Sequence, residues 1–532
     1  MLQASQRPSQ RIKVIAASVL AAAIVASCDR GAARTPDIGL TPRDNPAHGY
    51  VDPKPVGSFP SSKNRINGWI TAGQTDSIRA HGWDIWQSIT AAVNDSTPTF
   101  QTWYSGHELF DSLPPLDAAA RPRAARIPLE RPRQFRHGVI VRRGAGAKAR
   151  LAFAPIPVDT FERVFAFNRF SASTARYIWD NTLNRATTLL VYNWVSNALN
   201  MPLADREVLV SADSTDSLSF VTKNVFYFIS GTEPSAVPYW AGYDTAHSVP
   251  DTTLLPHVPP RFWKQAVAVD PTGKLQPGDS VLLPFNKQPP TWLKVVPLSK
   301  FYHITVTAQD SAHLTQFGSV NGDDLGFDSD TADTAVLAAA RPGNIGLMMA
   351  MHVTGKEIVN WTWQSYWWSP NQSDSLGTDR PASIPAPWNN YVMTTAYSMT
   401  PIGNASIVAF NPYLESSLAG VTETGEHWSG VTTNCMSCHR RAAIGWSYVA
   451  GSRNLWSGVA GYGPAANVLA GDSLIFVIPD TLNRPTATLK TDFLWSVALR
   501  AGAFQSIPVT QNAALRKRVD DEVAKRRKAP PK

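Results

Sequence analysis

The chain has 532 residues, of which 17% are charged and 43% hydrophobic, a balance that excludes a disordered, charge-rich protein and leaves room for a large buried core. Its net charge of +8 does not mark a nucleic-acid surface: ten Lys/Arg against one Glu lie within 121–150, eight basic against three acidic residues lie within 509–532, and the rest is net −6. Two basic patches on a slightly acidic body fit a solvated face, an anionic membrane or an acidic redox partner, so no nucleic acid is expected as a partner.

Arg11 and Lys13 precede an apolar run over 14–26 that is too short to span a bilayer as a mature helix. A charged start, a short apolar run and small residues before a boundary are the parts of a secretory signal, here 1–27. The boundary, Val25-Ala26-Ser27-Cys28, resembles the lipobox of bacterial lipoproteins. That resemblance implies a lipidated Cys28 as the new N-terminus and a cell-envelope location on the periplasmic side, with the protein anchored to the inner or outer membrane. Ordinary signal cleavage and an uncleaved anchor helix are the alternatives.

Residues 28–63 are polar and aperiodic and read as a flexible tether. A helical pattern covers 66–97, with Trp83, Ile85, Trp86 and Ile89 on one apolar face. After Trp103-Tyr104 the Pro- and Arg-rich stretch 114–132 reads as a loop, within a basic region 114–150. A helix is predicted over 174–199, completing a mainly helical region 64–200. From 201 to 410 the pattern turns to short β-rich runs, among them 219–229, 292–296, 301–307 and 345–353. Turn clusters such as Asp270-Pro271-Thr272-Gly273 and Asn321-Gly322-Asp323-Asp324 separate them. The fold expected is α+β and β-rich: N-terminal helices, then a large antiparallel β domain, sandwich or barrel-like, then an irregular segment 411–508 packed on it. A basic helical tail over 509–532 closes the chain. Tryptophan, at 18 residues, outnumbers tyrosine at 14, which fits either large β-cores or the walls around a flat cofactor.

The chemistry concentrates in Cys435-Met436-Ser437-Cys438-His439. The chain holds only three cysteines, so a pair at this spacing needs a reason. Two thiols three residues apart reach the two vinyl groups of one haem, and the following histidine then offers its imidazole to the iron as proximal ligand. A redox disulfide leaves His439 unexplained, and a zinc site would need two histidines from elsewhere. The reading is therefore one covalent haem c, on Cys435 and Cys438, with His439 on the iron. No Met or His follows His439, so a sixth ligand must come from upstream or the iron stays open. Met348, Met349, Met351, His352, Met393, Met399 and His427 are the candidates. His352 is selected as distal ligand, because it ends an apolar strand-like run just before the tryptophans at 361–368. Alternation puts Met349 and Met351 on the opposite face.

Gly82-Trp83-Asp84-Ile85-Trp86, Gln101-Thr102-Trp103-Tyr104, Met351-His352-Val353 and residues 434–441 together resemble a family of exported bacterial monohaem cytochrome c-like proteins. That family has a C-terminal CxxCH and a Trp-rich upstream domain; the resemblance spans about 80–500 and implies haem without implying a substrate. Two functions follow as expectations. One is one-electron transfer with a periplasmic or membrane redox partner; the other is a haem enzyme or small-molecule binder with an open or weakly ligated distal site. Neither an acid–base pair nor a substrate is legible in the sequence.

Overall fold

The computed structural model describes residues 50–94, 97–110, 126, 128–129, 139–143, 150–154, 164–201, 206–210, 218–241, 263–285, 288–318, 337–371, 375–403, 405, 409–415, 420–421, 427–428, 434–439, 442–444, 477–479, 485–487, 489–500 and 523–524. Cys28, the signal and most of the tether and of both basic patches lie outside them.

Seven strands form one antiparallel sheet: β1 (Tyr104–Ser105), β2 (Val164–Phe170), β3 (Phe220–Ile229), β4 (His303–Thr305), β5 (Ile345–Gly355), β6 (Thr362–Trp368) and β7 (Tyr391–Ala396). Their spatial order is β1-β2-β3-β5-β6-β7, with β4 pairing the start of β5 and β6 its end. Strand β5 is almost wholly buried, as its continuous run of apolar residues demands of a central strand. The fold is thus mixed α+β around a large antiparallel sheet, and the sandwich or barrel expectation is met only at that level. The sheet also crosses the boundary drawn at residue 200, because β2 pairs along β3 from Val164↔Tyr227 to Phe170↔Val221.

Helices α1 (Lys63–Thr71) and α2 (Thr75–Thr90) replace the single helical stretch expected over 66–97. Gly73, at φ +68°, supplies the left-handed turn between them. Trp83, Ile85, Trp86 and Ile89 are fully buried, as the 3.6-residue spacing implies. Trp86 stacks on Tyr366 with ring centroids 4.1 Å apart, and the Tyr366 hydroxyl donates to the Gly82 carbonyl. A Cβ on Gly82 would meet the Met393 sulfur at 2.7 Å, so glycine lets α2 lie flat on β7. The helix expected over 174–199 is also two, α3 (Ala172–Asp180) and α4 (Ala186–Ala198), broken where Thr182 takes φ +50°.

Helix α5 (Ala308–Gly318) shows how a loop is fastened to this frame. The buried Asp310 carboxylate accepts from the Thr307 amide and hydroxyl, the Leu129 amide and both terminal nitrogens of Arg126, at 2.7–3.0 Å. Burial alone would raise its pKa, but Arg126 and the Thr307 and Leu129 amides overcome this and hold the carboxyl below its ordinary value. A depressed folded pKa gives stability that is present above the unfolded value, about 4, and is lost as pH falls through the folded value. Asp310→Asn is expected to cost about 3 kcal/mol at pH 7, by breaking the buried ion pair with Arg126. The same substitution should flatten the acid limb of stability below about pH 4, as read by urea unfolding across a pH series.

Candidate functional site

Side chains alternate along each strand, so the register sorts the sheet into two faces. Met351 and Met393 both stand opposite Tyr366, on the face that α2 covers. Met348 and Met349 are fully buried where β5 bulges between Met348 and Ala350. On the other face, Asn168, Lys223, His352, Ser365 and Thr394 make one cross-strand row. The neighbouring row on that face is Phe170, Val221, Thr354, Trp363 and Ala396. Among the described residues Asn411, Glu415, His439 and Phe493 meet the sheet at these two rows.

That segment contributes a short helix, α6 (Cys435–His439). Asn434 caps it, its Oδ1 accepting from the Met436 amide at 3.1 Å while its Nδ2 donates to the Ser398 carbonyl at 2.9 Å. Cys435 and His439, four residues apart, share one side of this turn. The Cys435 thiol is buried in an apolar cluster that includes Trp361, Trp363, Met436, Phe493 and Leu494. Met399 packs against the same cluster, alone among the candidate methionines. Its neighbour Ser398 helps line a cleft of about 330 Å³ with Asn360, Tyr397 and Met399. The backbone of His427 pairs with Val421 in a separate two-stranded ribbon.

His439 is the best-defined group of the site. Its ring centroid lies 4.4 Å from that of Trp363, and its Nδ1 is 2.9 Å from the Phe493 carbonyl. A carbonyl can only accept, so Nδ1 carries the hydrogen and Nε2 keeps its lone pair. Burial pushes the His439 pKa down to about 4, helped by the charge of His352 and opposed by the Phe493 carbonyl, so the ring is neutral at physiological pH.

His352 is half-buried, and its Nε2 lies 3.4 Å from Glu415 Oε1. Burial alone would raise the Glu415 pKa; His352, then the Asn411 amide and His439, overcome this and hold it below its ordinary value. Asn411 also donates from Nδ2 to Ser365 Oγ at 3.2 Å, tying Glu415 to the polar row. His352, Glu415 and His439 therefore lie close enough to feel one another's charge. Among the described residues no three His, Cys, Asp or Glu side chains converge to share a metal ion.

The Phe493 carbonyl is held by a loop that the sequence did not single out. Short strands Ala443–Ile444 and Leu489–Lys490 pair, the Thr491 amide donates to the Ala442 carbonyl, and helix α7 (Trp495–Arg500) follows. Asp492 and Phe493 between them take φ +45° and +69°, left-handed conformations that are costly for residues with a Cβ. Buried Asp492 Oδ1 accepts from Lys356 Nζ at 2.6 Å and Trp361 Nε1 at 3.2 Å, and Oδ2 accepts from the Val210 amide at 3.1 Å. Trp361 itself sits at φ +63°.

The chain matches no family model, no curated protein sequence and no solved structure. Residues on its own sheet and loops therefore carry the functional argument.

Proposed function

We propose that this is a c-type haem protein, with one haem joined by thioethers to Cys435 and Cys438 and His439 Nε2 as proximal iron ligand. More particularly, we read it as an exported monohaem cytochrome, anchored through lipid on Cys28, that passes single electrons to a periplasmic or membrane redox partner. The observation that carries the reading is the His439 imidazole. A proximal ligand must be neutral, with its lone pair on the free nitrogen and its other nitrogen fixed by a backbone or carboxylate acceptor. His439, half-buried and with Nδ1 fixed by the Phe493 carbonyl, meets these requirements. The buried Cys435 thiol belongs to an apolar cluster that also holds Trp361, Trp363 and Phe493, surroundings that suit the edge of a flat apolar macrocycle. A bound haem would supply the one-electron couple. The protein's part is to fix the His439 ring, shield the face toward Trp363 and set the charge nearby.

Haem staining after denaturing electrophoresis, with mass spectrometry of the intact chain, tests this directly. One haem-sized increment per mature chain is expected, and extraction of the haem into acid acetone would refute covalent attachment. Location is tested by Cys28→Ala, which should move the protein from the membrane to the soluble periplasmic fraction, because stable anchoring needs more than one acyl chain. A wild-type protein already soluble and without acyl chains would refute the anchor.

The contact between His352 Nε2 and Glu415 favours a second reading. If that contact persists with haem bound, His352 stays off the iron and the sixth position is open to a small ligand, as in a haem enzyme or sensor. Rapid uptake of carbon monoxide or cyanide would select it.

A further inference from the structure

We infer that Asp492, held by Lys356, is a positioning residue that sets the hydrogen bond from His439 Nδ1 and thereby the electronic character of the proximal imidazole. The inference deepens the haem reading above and rests on it for its redox consequence.

The first ground is the cost of the arrangement. Asp492 and Lys356 are each 1% exposed, and a charge pair removed from water gains back its hydration only when geometry and further hydrogen bonds are good. They are good here. Lys356 Nζ reaches Asp492 Oδ1 at 2.6 Å and the Val359 carbonyl at 2.9 Å, while Trp361 Nε1 and the Val210 amide fill the remaining carboxylate positions. An apolar pair would fill the same volume without charge, so the pair is better explained by the conformation it enforces than by the stability it adds.

The second ground is what that conformation does. One carboxylate ties together the β5–β6 turn, the strand-like segment at Val210 and the loop before α7. Three non-glycine residues in the left-handed region, Trp361, Asp492 and Phe493, lie in these tied segments. Such residues persist only where their surroundings over-determine them, and they gather at functional sites. At the end of the constrained loop the Phe493 carbonyl receives His439 Nδ1–H at 2.9 Å. A Thr491–Leu494 turn, with the Leu494 amide donating to the Thr491 carbonyl and Thr491 Oγ1 to the Leu494 carbonyl, closes around the two left-handed residues, and the Asp492 carboxylate ties that turn to the sheet. The strength of an Nδ1–H bond governs the basicity of the other nitrogen, and so the preference of a bound iron for its ferric state.

Asp492→Asn keeps the shape but removes the charge that Lys356 and Trp361 hold. In the haem-loaded full chain we expect a three- to tenfold shift toward the reduced form at fixed potential, a rise of about 30 to 60 mV. The iron–histidine stretching frequency in resonance Raman spectra should fall with it. Lys356→Arg, which keeps the pair, should leave both unchanged. Trp361→Phe, which removes one donor and keeps an aromatic ring of smaller size, should move both slightly in the same direction, and it serves if Asp492→Asn does not fold. Folded, fully haem-loaded Asp492→Asn and Trp361→Phe with wild-type potential and Raman frequency would overturn the inference, since a purely structural role lowers the melting temperature and moves neither. Histidine ¹⁵N spectra of the full chain, assigned with His439→Gln, separate this from the haem reading. If wild type carries no haem, the haem reading fails, while a His439 tautomer fixed on Nδ1 in wild type and mixed in Asp492→Asn still upholds the clamp. An unchanged tautomer overturns it.

Discussion

The Cys435→Ala, Cys438→Ala double variant is expected to retain no haem after denaturation, where wild type retains one per chain. The effect is all or none because thioethers are the covalent attachment and each needs its own sulfur. Loss of the bond can be told apart from loss of the fold. Cys435 belongs to the apolar cluster of Trp361, Trp363, Met436 and Phe493, and replacing one buried sulfur by hydrogen leaves only a small cavity, costing about 1 kcal/mol. A haem that binds only the folded state adds stability in proportion to its affinity, so the variant should melt earlier than that cost alone predicts. The competing chemistries give different thiol counts. With haem attached, neither cysteine of denatured wild type reacts with a maleimide, before or after reduction. A redox disulfide would release two reactive thiols on reduction, and a zinc site would release two on chelation.

How far the sequence reaches is seen in single elements. Period-3.6 spacing places Trp83, Ile85, Trp86 and Ile89 correctly, because all four answer to one local rule and one packing surface. Period-2 alternation over 345–353 separates Met351 from His352, and the register with β3 and β6 bears that out while adding Lys223 and Ser365 beside the histidine. Breaks between helices were less legible. Thr182 at φ +50° interrupts a pattern whose composition stays helical on either side, and threonine is not a residue that announces a left-handed turn. Strand β2 was illegible for another reason: it is a seven-residue strand amid helices, and only its long-range pairing with β3 reveals that it belongs to the sheet. The helpers of the site were invisible. Glu415 ends a four-residue helix with no motif, and Lys356 meets Asp492 across 136 residues of chain. No local periodicity encodes a contact at that separation; it exists only once the sheet has formed.

His352→Ala is expected to convert the ferric spectrum from low spin to high spin, with haem content unchanged. The fold places His352 on the sheet face that carries Trp363, close enough to His439 for their charges to interact, and sends Met351 and Met393 to the face beneath α2. Met399, packed against the Cys435 cluster, is the methionine that could compete for the iron. Methionine and histidine ligation differ in the near-infrared, where a thioether gives its own charge-transfer band. Glu415 sets the terms for His352. It holds Nε2 at 3.4 Å, and an imidazole cannot offer the same nitrogen to a carboxylate and to iron. Ligation therefore requires that the Glu415 contact yield, and Glu415→Gln, which weakens the competitor without removing its volume, should leave the spectrum low-spin and slow the displacement of His352 by cyanide. The opposite pair of results decides for the open site: an unchanged high-spin spectrum in His352→Ala, and wild-type cyanide binding that is fast from the outset. In that case the Glu415-bound histidine would stand over a vacant coordination position, poised to hydrogen-bond a small ligand there and not to occupy it.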